Sequence, residues 1–232
     1  MNEAALITSI NESKKLLKEF GILEEYNTSR PQELSINKFS EEFIKQSQKS
    51  NYLLSYKIAM KNRDYDFLLT DDSFIQFSAN FSLDNKSIRY AYYENPRQMK
   101  TYEDFLLEFD LGDDEEQIFL LEYEQYKSES IIKNAITPIR YDYDTEHFSA
   151  IIHPVSHIHI GHNNDLRLPL NKIITPIAFI MFIIKNVYRK KWISEIENNP
   201  TFRERMLTAK NQTKPLEKEY FNEEEEKLLY LT

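Results

Sequence analysis

The sequence predicts an α+β domain: a largely antiparallel sheet, helices packed on it, and a helical C-terminal region. Three observations predict it. The middle of the chain is dense in β-branched and aromatic residues, broken by short Asp- and Asn-containing turns. Both ends carry apolar residues at helical spacing. The composition, 41% hydrophobic and 29% charged, is that of a chain that buries a core. Its 232 residues suffice for that without a disulfide or metal staple. One domain over 1–232 is expected, with N-terminal helices in 1–50, a sheet-rich core in 51–170 and C-terminal helices in 171–232.

Leu6, Ile10, Leu16, Leu17 and Phe20 approximate a 3.6-residue period, so residues 2–20 read as an amphipathic helix that Gly21 stops. Residues 27–31 read as a turn-rich link. Ser40 before Glu41-Glu42-Phe43 is an N-cap signal for a short helix to Gln48. Residues 52–60, 66–70, 73–81 and 87–93 read as four strands of a meander, with turn residues Asp71-Asp72 and Asp84-Asn85 between them. In FIQFSANF, Gln76, Ser78 and Asn80 alternate with Ile75, Phe77, Ala79 and Phe81, which predicts one wet and one buried face. Tyr90, Tyr92, Tyr93 and Tyr102 read as core and sheet-surface side chains rather than as a base-stacking platform. Residues 101–109 and 115–127 read as helices, and 135–144 and 150–160 as strands. Residues 175–196 read as one long helix ending in the basic stretch Arg189-Lys190-Lys191, set to complement a helix C-terminus. Pro200 opens another helix, and 216–231 form a last one.

Composition excludes several function classes. Only three glycines occur, too few and too scattered for a Gly-rich phosphate loop. With no cysteine, thiolate nucleophiles and zinc-thiolate centres are excluded. The N-terminus lacks an apolar signal core, and the longest apolar run, Ile173 to Ile184, is too short to span a bilayer. A cytoplasmic protein with no membrane role is expected. The formal net charge of −9 argues against a dedicated DNA-binding module but leaves room for a local basic cleft. The acidic stretches at 110–124 and Glu223 to Glu226 read as solvated helix faces.

All five histidines, His147, His153, His157, His159 and His162, lie within 16 residues. Imidazole titrates near neutrality and is the commonest neutral metal ligand, so this crowding marks a candidate site. In HPVSHIHIG, His157 and His159 share a strand face, with Ile158 and Ile160 opposite. His153 has the same parity unless Pro154 breaks the register. Gly161 ends the strand and releases a polar turn that leads to Arg167. In the preceding strand Arg140, Asp142 and Asp144 share one face and Tyr141 and Tyr143 the other. Paired as a hairpin, the two strands set Arg140, Asp142, His157 and His159 on one water-accessible surface.

Two chemistries fit. In metal-independent phosphodiester cleavage, one imidazole deprotonates a hydroxyl, a second protonates the leaving oxygen, and Arg140 or Arg167 stabilises the phosphorane-like charge. His153, His157, His159, Asp142, Arg140 and Arg167 are the candidate catalytic residues. In metal-assisted hydrolysis, His157, His159 and Asp142 hold a divalent metal, the only cofactor in question. A structural hairpin, in a non-enzymatic interaction subunit, is the bland alternative.

The run from Arg140 onward, RYDYD, then HPxxHxHxGxxNxxR, then a TPxxF helix start, resembles an uncharacterised bacterial family, domain of unknown function 2290. Arg140, Tyr141, Asp142, His153, Pro154, His157, His159, Gly161, Asn164 and Arg167 fill its positions. The match is strong over the central third and general in layout elsewhere. The two strands are also similar, more loosely, to RNA-targeting toxins of the TumE type. That similarity implies an RNase-type effector of a toxin–antitoxin or anti-phage defence system. It implies RNA as substrate and a protein partner, an antitoxin or a defence-complex subunit.

Overall fold

The computed structural model describes residues 2–28, 34–82, 85–100, 102–108 and 119–229. It is an α+β fold built on a seven-stranded antiparallel meander in the order β1 to β7. The strands are β1 (Leu23–Tyr26), β2 (Phe67–Leu69), β3 (Phe74–Phe81), β4 (Lys86–Tyr93), β5 (Ile139–Asp144), β6 (Ser156–Ile160) and β7 (Leu168–Pro169). Strands β8 (Lys172–Ile173) and β9 (Lys214–Pro215) form a separate ribbon.

The first helix, α1 (Glu3–Glu19), starts where Asn2 accepts a hydrogen bond from the Ala5 amide at 3.0 Å and stops at Gly21, φ +57°. Beyond it comes an element the sequence reading left out: β1, paired with β2 at the sheet edge. Ser40 caps α2 (Glu41–Ser47) as expected, its hydroxyl accepting from Phe43 N–H.

The expected strand at 52–60 is instead helix α3 (Tyr52–Asn62). Asn51 caps it by accepting from Leu54 N–H at 3.0 Å, and the buried set Tyr52, Ser55, Tyr56, Ile58 and Ala59 is a helical stripe. Tyrosine-rich composition suggested a strand; the cap and the 3.6-residue period decide. This helix explains a second departure. The face of β3 expected to be wet is covered in its first half, where Gln76 and Ser78 are each 6% exposed. Phe74 and Leu68 join α2 and α3 in a hydrophobic cluster on that side.

The opposite face carries the larger core. Phe77, Tyr90 and Tyr141 pack there against α1 and α6 (Pro176–Asn186). Tyr90 and Tyr92 are core side chains, as expected, and Tyr93 stacks on Phe74 in the smaller cluster. The single helix expected over 175–196 is two. Thr175 caps α6, which ends at Asn186, and α7 (Arg189–Asn198) follows after a break. At the break Tyr188 donates to the Asp71 carboxylate at 3.0 Å. The basic stretch therefore opens α7 instead of closing a helix. Lys191 still complements a helix C-terminus, that of α1, through the Phe20 and Gly21 carbonyls.

Helix α8 (Pro200–Asn211) begins at the expected proline. Residues 216–222 of the helix expected from residue 216 are a turn-rich approach to the shorter α9 (Glu223–Leu229). In the middle, α4 (Tyr102–Glu108) and α5 (Leu120–Glu129) match expectation. The parts of the readings at 29–31, Asp84, Thr101, 109–118 and 230–231 lie outside the described residues. Among the described residues no helix is long and apolar enough to cross a membrane.

Candidate functional site

The site grows from cross-strand register on the face opposite the larger core. Ser78, Arg89, Asp142 and His157 form one row across β3 to β6, and Gln76, Ala91, Arg140 and His159 form the next. Directly opposed residues on one face are neighbours, so these rows fix which side chains meet. The expected hairpin of β5 and β6 is present, with Asp142 opposite His157 and Arg140 opposite His159.

Asp142 is the hub. Its Oδ1 accepts from Arg89 Nε and its Oδ2 from Arg140 Nε, both at 2.7 Å. Burial raises its pKa, but Arg89 and then Arg140 outweigh burial and hold the carboxyl below its usual range. His159 Nε2 lies 3.5 Å from Oδ2, and His157 Nε2 lies 4.0 Å from it. The two Nε2 atoms are 3.0 Å apart.

His157 is 1% and His159 6% exposed, so the surface is less open than expected. Burial lowers the pKa of both rings, that of His159 to about 4 with Arg140 as the next cause. Both imidazoles are therefore neutral near pH 7. His157 Nδ1 is 2.7 Å from the Pro154 carbonyl oxygen, which can only accept, so Nδ1 carries the proton. Its Nε2 is then bare, and the contact with His159 puts the second ring's proton on His159 Nε2. The remaining lone pair is on His159 Nδ1.

His153 is not on the strand. Pro154 and a turn containing Ile151, φ +68°, precede β6, and His153 instead bridges to Ser149. Its ring is nonetheless 5.1 Å from that of His157, and its buried Nδ1 has no hydrogen-bond partner. Burial and then Arg167 lower its pKa. Arg167 lies beyond the turn, donating to the Asp165 carbonyl at 3.2 Å, with a buried and unpartnered Nε.

His147 and His162 stand outside the cluster for separate reasons. His147 Nδ1 pairs with Asp144 Oδ2 at 2.8 Å, which raises its pKa. His162 Nε2 reaches the Lys49 carbonyl oxygen at 2.8 Å and its ring packs edge-on against Tyr52, tying the β6 turn to α3.

A cleft of about 550 Å³ opens over the second row, lined by Arg89, Arg140, Arg167, His159, Tyr93 and Asn164 among others. Among the described residues, Asp165 is the only carboxylate in that lining. Asp142 and His157 sit behind it. Arg89 was not anticipated: it is one cation in an aromatic strand, and only its place opposite Asp142 gives it meaning.

Gly161 ends β6 at φ +92°, and a Cβ there would lie 2.6 Å from Asn164 Nδ2. That amide bonds the Ile160 carbonyl at 2.8 Å. Gly161→Ala should cost about 1–2 kcal/mol in urea unfolding, from the left-handed backbone and the lost bond. An unchanged midpoint would contradict this turn geometry.

His157 Nε2, His159 Nε2 and Asp142 Oδ2 also form a set that can hold a metal ion, all within 4.8 Å of one another. No curated protein and no solved structure matches the chain. The strands that build the site lie inside residues 17–231, which match the family model described as Uncharacterized conserved protein (DUF2290), and the chain belongs to that family.

Proposed function

We propose that this protein is a ribonuclease-type phosphodiesterase, acting as an effector of a bacterial toxin–antitoxin or anti-phage system. One observation carries the reading: Arg89, Arg140 and Arg167 line one cleft with the neutral imidazole of His159, three cations against the two carboxylates Asp142 and Asp165 beside them, in a chain of formal net charge −9. Such a cleft concentrates a polyanion where the rest of the surface repels it. Guanidinium forks match phosphate oxygens.

His159 Nδ1 accepts the proton of the ribose 2′-hydroxyl, and O2′ attacks phosphorus. The P–O5′ bond breaks, and O5′ takes a proton from solvent water. Arg140 and Arg167 stabilise the charge on the equatorial oxygens. The imidazolium that forms is held by the Asp142 carboxylate, 3.5 Å from Nε2, and by the His157 lone pair. His157 is a positioning residue. The effector role and its protein partner rest on the likeness to TumE-type toxins.

The test is purified chain on single-stranded RNA in the presence of EDTA. The expected products carry 2′,3′-cyclic phosphate and 5′-hydroxyl ends, and DNA of the same sequence stays intact. No cleavage between pH 5 and 8, or 5′-phosphate ends, would sink the proposal.

The convergent Nε2 atoms favour a second reading, a divalent-metal hydrolase. Separations of 3.0, 3.5 and 4.0 Å are near the roughly 3–3.4 Å expected for ligands at about 2.1 Å from one ion. The carbonyl holding His157 Nδ1–H is the outer support such a ligand needs. Against it, Arg89 and Arg140 already neutralise Asp142 and would repel a cation. Stoichiometric metal in purified protein, lost in a His157→Ala/His159→Ala variant, would establish this reading over the first.

A further inference from the structure

We infer that the site takes an extended single strand of RNA, with a nucleotide on each side of the scissile phosphate, and not an isolated phosphate ester; this rests on the nuclease reading. A second cavity, of about 340 Å³, lies beside the arginine cleft, and Arg89 lines both. Asp142 forms part of its wall, so the pair it makes with Arg89 divides the two spaces.

Register puts both cavities on the same sheet face. The row containing Ser78, Arg89 and Asp142 is followed by the row Asn80, Ser87 and Asp144. Successive same-face rows are about 7 Å apart along a strand. The two cavities therefore follow one another along the strands, the first at Arg167 and Arg140 and the second at Ser87 and Asn80, and the proposed groove is this pair, spanned by a strand that crosses the Arg89–Asp142 pair between them.

The two halves differ in chemistry. The cleft offers three guanidiniums beside the amides of Gln48, Asn163 and Asn164, whereas among the described residues Arg89 is the one cation lining the second cavity. The second cavity offers hydroxyls and amides, from Ser35, Asn37, Ser78, Asn80 and Ser87, with Asp144 as a carboxylate. Among the described residues, the Ser78 and Ser87 hydroxyls and the Asn37 side-chain amide make no hydrogen bond. Charged donors suit phosphate oxygens, whereas neutral donors and acceptors suit base edges and ribose hydroxyls. A ligand ending at the phosphate would leave this second half unfilled. A strand continuing through the scissile phosphate fills both.

Binding can be measured separately from cleavage with labelled 2′-O-methyl oligonucleotides, which lack the attacking hydroxyl. Fluorescence anisotropy with the full chain should show trinucleotides binding at least about tenfold more tightly than mononucleotides, the gain from roughly one further set of hydrogen bonds. An Asn37→Ala/Ser87→Ala variant, folded by circular dichroism, should lose most of that length-dependent gain. Equal affinity for the two lengths, no binding at any length, or an unaltered gain in the variant overturns the groove. Length-dependent binding without cutting of ordinary RNA leaves the groove standing and removes the nuclease reading. Cutting of RNA without length dependence does the reverse.

Discussion

His159→Ala lowers RNA cleavage about 10³-fold, the range for losing a positioned general base, while the chain stays folded. His159 is the ring of the buried pair that lines the cleft, and the Pro154 carbonyl and His157 leave its Nδ1 unprotonated. A single-turnover assay on one RNA checks the loss, and circular dichroism checks the fold. Full activity in the variant removes His159 from the chemistry. The base form is the active one, so cleavage is level from pH 7 downward and falls as pH drops through about 4, where His159 gains its proton.

The same titration governs stability. His153, His157 and His159 all have folded pKa values below the unfolded value of about 6.5. Between the two values the unfolded chain binds more protons than the folded one. The stability tied to these neutral rings is complete above pH 6.5 and is lost as pH falls toward about 4. Urea midpoints at pH 7 and pH 5 should differ in that direction. Equal midpoints, or a rise at pH 5, would contradict the buried neutral pair.

Asp142→Ala costs about 3 kcal/mol of stability and abolishes cleavage. Removing one partner of a buried ion pair costs about 3–5 kcal/mol, because the charge left behind stays unpaired. The Arg89 and Arg140 side chains are 46% and 40% exposed, so water screens part of the penalty and the low end applies. Without the carboxylate the two guanidiniums repel each other, and the imidazolium of the reaction loses its counter-charge. Denaturant unfolding measures the loss. An Asp142→Asn/Arg89→Gln double variant should recover part of the stability and none of the activity. A change below about 0.5 kcal/mol in Asp142→Ala, no more than a surface substitution gives, would mean Asp142 is not the hub.

The strand face of each site residue was legible because side chains alternate with period 2. RYDYD and HIHI fix the partition of Arg140 and Asp142 from Tyr141, and of His157 and His159 from Ile158 and Ile160, whatever the rest of the fold does. Ser40 and Pro200 were legible as helix starts because a cap acts within one turn. Helix α3 was misread because tyrosines serve strand and helix alike, and only the stripe they bury decides between the two. The break at Val187 was not legible because no proline or glycine marks it, and the contact made there, Tyr188 to Asp71, joins residues 117 apart in sequence.

Residue order alone sets Arg140 and Asp142 on one face of their strand and His157 and His159 on one face of theirs, since parity is a local property of the backbone. Only the tertiary structure decided that Arg89 closes on Asp142, that His157 is sealed while His159 borders the cleft, and that Arg167 returns to that cleft. Burial and cross-strand partners depend on which segments are neighbours in space. That is a product of strand order and helix packing, and no residue carries it alone.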